Sequence, residues 1–346
     1  MHAASSVPPR SLTARTVVAR APTRLDFAGG WTDVPPYANE MGGCVCNLAI
    51  ARYATVRISD DEAGATFRAP GRHERTPVLA AAALRRAGVR DVAIDVFSDF
   101  PVSAGLGGSS AAGVALAAAL AAWRNQWRRG AADTPDDTER VALAKWSRAV
   151  EVEEAGIAGG WQDHFAAAFG GALRLDFGAD AEGTTTRIER LAVSDATLDT
   201  LIARSVVVYT GESRVSGDTI TAVLGAYRTG ERGVVDALAR MKAIAAEIAD
   251  ALVAGNVDDV GRLLAEHWTH QRALHPAIPT ARIDRVIERA AAAGALGAKA
   301  LGASGGGCVL ALASHGREAD VRAAVAELGE LVPVRVDRAG VTVEED

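Results

Sequence analysis

Cysteine is scarce in this chain: 346 residues include three, Cys44, Cys46 and Cys308. Three thiols cannot close a complete disulfide framework, and Cys44-x-Cys46 matches no zinc-ligand spacing. In a strand, that spacing turns both side chains to one face, where they read as small buried apolar groups. A reducing compartment, the cytoplasm, is therefore expected. Histidine is also sparse, and His267 and His270 lack the spacing of a zincin helix, so no metal site is expected there. An excess of basic residues is missing as well: Lys and Arg number 37 against 43 Asp and Glu, for a net charge of −6. That balance argues against a nucleic-acid partner. No apolar run suits a bilayer, since the most apolar stretch, Ala111 to Ala122, is alanine-rich and well short of the roughly 20 residues a span needs. No membrane partner is expected. Residues 1–15 lack the apolar centre of a signal peptide and read as a flexible tail.

Glycine, by contrast, is plentiful and clustered. The β-branched run Val92 to Val96 leads into a loop holding Gly105, Gly107 and Gly108. An alanine-rich helix is expected from Ser109 or Ser110, both good N-cap types. The first N–H groups of a helix lack partners and carry the positive end of its dipole, so this junction suits an anion. An ordinary tight strand-to-helix turn fits the same residues. A Walker loop is ruled out, because no lysine occurs between Gly105 and Lys145. A dinucleotide fingerprint fails too: Ser110 stands where its third glycine belongs, and Arg124, Arg128 and Arg129 occupy much of the region that should supply an acid.

The length favours two domains, expected at 16–195 and 196–346. Strands are expected at Val17 to Arg20, Cys44 to Ile50, Tyr53 to Ser59, Leu173 to Phe177 and Thr184 to Leu191. Alternation of Arg24, Asp26 and Ala28 with Leu25 and Phe27 gives a further segment one polar and one apolar face. Arg24, Asp26 and Asp33 near Gly29-Gly30 fit either a hydroxyl-gripping pocket or a surface ion pair. The helix Thr138 to Gly156 ends in acids set against its dipole, so Glu151 is either a cation ligand or a solvated helix end. Asp163, among Trp161, Phe165 and Phe169, is either a buried general base or the N-cap of the next helix. In the second half, Val206 to Gly211 opens a set of helices, a second glycine loop follows at Gly302 to Gly307, and Val332 to Val336 and Val341 to Val343 are expected as its closing strands.

Three elements in fixed order carry a resemblance: Pro22-x-Arg24 through Thr32-Asp33, Pro101 through Ala112 with its Gly-Leu-Gly-Gly-Ser-Ser core, and Gly302-Ala-Ser-Gly-Gly-Gly307. The chain resembles the GHMP kinases from about Val17 to Val343. The resemblance implies an α+β fold, with a ribosomal-protein-S5-like N-terminal domain, a ferredoxin-like C-terminal domain and a cleft between them. It implies ATP and Mg²⁺ as cofactors. Gly105, Leu106, Gly107, Gly108, Ser109, Ser110 and Ala111 resemble the triphosphate loop, with Gly305 and Gly306 from the third motif beside it. Ser109 and Glu151 match the metal ligands, Asp163 the catalytic aspartate and Arg24 its partner. Gly30, Trp31, Asp33 and Arg214 fall where the sugar or sugar-phosphate substrate is held. Gly29 through Tyr37 is similar to the branch acting on fucose and heptose 7-phosphate at the anomeric hydroxyl; cyclitol phosphates, other alcohols such as galactose, homoserine and mevalonate, and a silent binding role are the alternatives. Trp31 and Ser304 depart from the usual pattern. The resemblance leaves room for a homodimer.

Overall fold

A computed structural model of the chain describes residues 15–60, 67–68, 76–125, 135–181, 183–212 and 217–345. Arg214 and residues 1–14 of the expected tail lie outside these. Arg15 is tied down, its guanidinium donating to the Trp123 carbonyl at 2.8 Å.

In the first half, the order is β1 (Thr16–Ala28), α1 (Tyr37–Glu40), β2 (Gly43–Ser59), β3 (Phe67–Arg68), α2 (Thr76–Ala87), β4 (Ala93–Ser98), α3 (Gly108–Trp123) and α4 (Asp137–Ala149). A π-helical turn, Val150–Glu154, extends α4 before α5 (Gln162–Phe169), β5 (Ala172–Asp180) and β6 (Gly183–Arg190). The second half runs α6 (Asp195–Arg204), β7 (Ser205–Tyr209), α7 (Gly217–Arg228), α8 (Arg232–Ala254), α9 (Val257–Ala273) and α10 (Ala281–Ala292). It closes with β8 (Ala295–Ala300), β9 (Cys308–Ala313), α11 (Glu318–Ala326), β10 (Glu330–Val332) and β11 (Thr342–Glu345).

Among the described residues, seven strands form one sheet, ordered β11-β1-β2-β4-β3 with β5 and β6 branching from β2, and four form another, β10-β7-β9-β8. The segments expected as separate strands on either side of Ala51 are one long strand, β2, which pairs along its length with β1. Pro22, which has no N–H to give, sits where the β1–β2 register shifts. Two further expectations are corrected. Val332 to Val336 is not one strand: β10 ends at Val332, and Val336 makes only an isolated bridge to Ile50. Val341 to Val343 does not close the second sheet either, because β11 pairs with β1 and so belongs to the first.

Helix α3 is apolar on all sides and buried, which is why its composition is alanine and glycine. A Cβ on Gly113 would meet Ser147 Oγ at 2.3 Å, so this glycine permits the close approach of α4. All three cysteines are free and buried, as their spacing suggested. Helix α8 links the two cores: Val234, Leu238 and Met241 pack into the second, Ile244, Ala245 and Ile248 into the first. The two halves thus share a helix, and the cleft lies where their glycine loops meet. No helix among the described residues is long and apolar enough to cross a membrane.

Candidate active site

Strand β4 feeds the loop that starts α3, and the helix opens at Gly108, earlier than the serines suggest. Gly107 is its N-cap, in left-handed backbone at φ 76°. Neither serine caps the helix, because both hydroxyls are turned to Glu151. The first bond of the helix joins the Ala111 N–H to the Gly107 carbonyl at 2.9 Å. The amides of Gly108, Ser109 and Ser110 precede it and have no acceptor inside the helix, which leaves them for an anion. They face a cleft of about 510 Å³.

Six of the seven loop residues singled out in the sequence line this cleft; Ala111 does not, being buried in the helix. Gly306 lines it, but Gly305 does not, and the Gly305 N–H is already donated to the Ile278 carbonyl at 2.8 Å. Ser304 holds a left-handed turn at φ 72° and donates its hydroxyl to the same carbonyl, so the departure at this position is absorbed locally. The two glycine loops touch: a Cβ on Gly105 would stand 2.4 Å from the Leu301 carbonyl oxygen. Gly105 also has φ 74°. Gly105→Ala should therefore cost about 1–3 kcal/mol, seen as a lower Tm, and should weaken nucleotide binding by parting the loops.

Arg24 and Asp163 meet at the cleft floor, as the resemblance implies. The buried Arg24 guanidinium lies 2.7 Å from Asp163 Oδ1 and donates to the Gly105 carbonyl at 2.6 Å. Burial pushes the Asp163 carboxyl up, against the pull of Arg24 and His164. Asp163 stands against the loop itself: a Cβ on Gly107 would meet its Cγ at 3.1 Å. Asp163 is not the cap of α5. That role falls to Asp33, whose Oδ2 accepts the Trp161 and Gln162 amides at 2.8 and 2.9 Å.

Glu151 is no solvated helix end; it is 6% exposed. The π-helical turn places it under the start of α3, in keeping with the frequent use of such turns at functional sites. Its Oε1 accepts from Ser109 Oγ at 2.5 Å and its Oε2 from Ser110 Oγ at 3.2 Å. His164 Nε2, also buried, donates to Oε2 at 2.9 Å, and its Nδ1 meets Ser147 Oγ at 2.9 Å. Burial pushes the Glu151 carboxyl up, but His164 and the two serines outweigh it and hold the group below the usual carboxylate range. An ionised carboxylate beside a hydroxyl, both on the cleft wall, is the hard oxygen donor set that suits Mg²⁺ when phosphates complete the shell.

On the opposite wall, Gly30, Trp31 and Asp33 line the cleft together. A Cβ on Gly30 would come within 2.4 Å of Asp26 Oδ2 and 3.0 Å of Gln162 Nε2, so the glycine keeps open a space bordered by polar groups. Trp31 is buried at φ 80°, and its indole N–H has no partner among the described residues. Burial above all pushes the Asp33 carboxyl up from 3.8 to about 6, against its two amide donors and with Asp163 and Asp26 adding to the rise. Gln162, His164 and Ser147 were not picked out as site residues from the sequence, and Asp26 was read only as one acid of a hydroxyl-gripping pocket or a surface ion pair. Gln162 and His164 had a local signal, their places on either side of Asp163.

The GHMP kinases N terminal domain matches residues 75–171 and the GHMP kinases C terminal model matches residues 248–331, together just over half of the chain. The chain belongs to the GHMP kinases. Among curated relatives, the bifunctional fucokinase/GDP-fucose pyrophosphorylase of Arabidopsis thaliana is 27% identical over 91% of this chain. The chain spans only 31% of that protein's length. D-glycero-alpha-D-manno-heptose 7-phosphate kinase of Campylobacter jejuni is 25% identical over 85% of this chain and 88% of its own. A solved D-glycero-D-manno-heptose 1-phosphate kinase from Bacteroides thetaiotaomicron shares the fold with a TM-score of 0.73 at 23% identity, covering 95% of this chain and 98% of that one.

Proposed function

We propose that the protein transfers the γ-phosphoryl group of ATP to a sugar hydroxyl, the anomeric one of a fucose-like sugar or a heptose 7-phosphate. The observation that carries this reading is the meeting of Asp163 with the amide-rich start of α3, a base set beside an anion loop. The loop amides of Gly108, Ser109 and Ser110 hold phosphate oxygens, and Ser109 with Glu151 would hold Mg²⁺. When bound, Mg²⁺ neutralises charge on the phosphates. Asp163 accepts the proton of the attacking hydroxyl at its carboxylate, and its raised pKa makes the ionised form a better base. Arg24 orients that carboxylate and keeps positive charge next to it.

The acceptor lies between Asp163 and the wall formed by Gly30, Trp31 and Asp33. Among the described residues that line the cleft, Arg24 is the only cation, and it is engaged by Asp163 and Gly105. Asp26, Asp33 and Asp163 supply acceptors for hydroxyl donors. This favours a polyol over a carboxylate-bearing alcohol such as mevalonate. For a heptose 7-phosphate, Arg214 is the residue we assign to the distal phosphate. A panel of fucose, heptose 7-phosphate, galactose, cyclitol phosphates, mevalonate and homoserine, scored by ADP release, tests the reading. Turnover confined to sugars is expected, and turnover confined to mevalonate or homoserine would overturn it.

The Asp33 carboxyl gives a pH signature. As a hydroxyl acceptor it must be ionised, so kcat/KM for the sugar should fall as pH drops through about 6 while the KM for ATP stays level. Asp33→Asn should lower kcat/KM and remove the fall near pH 6 that belongs to Asp33, leaving only the titration of the base Asp163. Linkage gives stability the opposite slope: the raised carboxyl favours the fold fully below pH 3.8, and that contribution is lost as pH rises through about 6.

A further inference from the structure

At the end of β1 the ladder with β2 is interrupted, its register shifting between Asp26 and Ala28. A bulge frees backbone groups that must find other partners when buried. Here they find them in the other half of the molecule. Lys299, on β8 and fully buried, donates through Nζ to the Asp26 carbonyl at 2.9 Å and the Phe27 carbonyl at 3.3 Å, with Asp26 Oδ2 at 3.5 Å. His267, on α9 and fully buried, accepts the Gly29 N–H at Nε2 across 3.0 Å. Two side chains from separate elements thus hold three of the four residues from Asp26 to Gly29.

Those four residues lead directly into Gly30–Asp33. Gly29 has little freedom to move: its φ is 85°, and a Cβ there would stand 1.9 Å from the Cys44 carbonyl oxygen. Thr32 hangs from it, donating both its N–H, at 3.0 Å, and its hydroxyl, at 2.7 Å, to the Gly29 carbonyl. Asp33 then caps α5, whose second residue is Asp163: Asp33 holds the Trp161 and Gln162 amides, and Asp163 is next in the chain. The path from Lys299 and His267 to the acceptor wall and the base consists of hydrogen bonds and covalent neighbours throughout.

We propose that Lys299 and His267 are positioning residues: a buried clamp from the C-terminal half that fixes the acceptor loop Gly29–Asp33 relative to Asp163. Neither touches the acceptor; each acts through the backbone of residues 26–29. The imidazole serves as a neutral acceptor at Nε2, and burial, with Lys299 nearby, holds its pKa well below 6.5 and keeps it neutral. The clamp rests on the reading of Gly30, Trp31 and Asp33 as the acceptor wall, while its effect on the loop does not depend on which sugar binds.

The test compares His267→Leu, which deletes the acceptor, His267→Gln, which offers a carbonyl oxygen in its place, and Lys299→Met as an independent removal of the second grip. Amide hydrogen exchange is followed across the full-length chain, with steady-state kinetics for sugar and ATP alongside. In His267→Leu and Lys299→Met, exchange should quicken across residues 29–34 and stay unchanged in the Gly105–Ala112 segment. The sugar KM should rise about 10-fold or more, since small misplacements of a reacting group are costly, with the KM for ATP unchanged. His267→Gln should recover much of both effects. Unchanged exchange across 29–34, exchange that rises evenly along the chain, or a Gln variant no better than Leu would overturn the clamp. Should the wild-type protein phosphorylate no sugar, the sugar-kinase reading fails by itself, and the exchange comparison still decides the clamp.

Discussion

Asp163→Asn should lower kcat by about 10²–10⁴-fold, the usual range for loss of a general base, while ATP binding is retained. The substitution keeps the shape of the side chain and removes the group that takes the proton. Arg24 still has the Gly105 carbonyl to bond at 2.6 Å, so the loop should hold its form. Nucleotide affinity measured by calorimetry should be near that of the wild type, and single-turnover kinetics should place the loss in the chemical step. A matching loss of ATP affinity would mean that Asp163 supports the loop rather than the proton transfer. Near-normal turnover would remove it from the base role.

Glu151→Gln should have the next largest effect, a fall in kcat on the order of 10²-fold, as for loss of one preorganised electrostatic contact at a reacting centre. The amide keeps one acceptor oxygen where the carboxylate offers Oε1 to Ser109 and Oε2 to Ser110, and it carries no charge, so the concentration of Mg²⁺ needed for half-maximal rate should rise. Metal titration of the rate checks this. Glu153→Gln is the control, because Glu153 is exposed and paired at 3.5 Å with Arg86 on the outer surface. A Glu151 variant with unaltered Mg²⁺ dependence would leave the carboxylate with only its structural bonds to His164 and the serines.

Much of this site was legible in the chain because its chemistry is concentrated in short, glycine-marked segments. Gly105, Gly107 and Gly108 mark a place where backbone must approach something closely, and the alanine run after them announces a buried helix. The serines were legible as polar, cap-type groups at a helix start, but nothing local reveals the carboxylate 42 residues further on that takes their hydroxyls; only the resemblance set Ser109 with Glu151. The meeting of Arg24 with Asp163 is separated by 139 positions and rests on tertiary packing; only the resemblance pointed to it. Asp33 was singled out as a substrate ligand, while its second duty, capping α5, depends on a chain crossing that periodicity does not encode. His267 drew notice only as a poor metal ligand, and its bond to Gly29 spans 238 positions. Strand β11 was seen as a strand and assigned to the wrong sheet, because alternation reports a buried face and not the partner that covers it.

The central claim is that this cleft moves phosphate from ATP to a sugar. Phosphorus NMR of the product, with the phosphorus–proton correlation resolved, tests it most directly. A new phosphate resonance coupled to the anomeric proton of fucose or heptose 7-phosphate is expected, formed with ADP in equal amount and lost in Asp163→Asn. ADP formed without a new sugar phosphate, or a new phosphate coupled to a proton on a carbon other than the anomeric one, would contradict it.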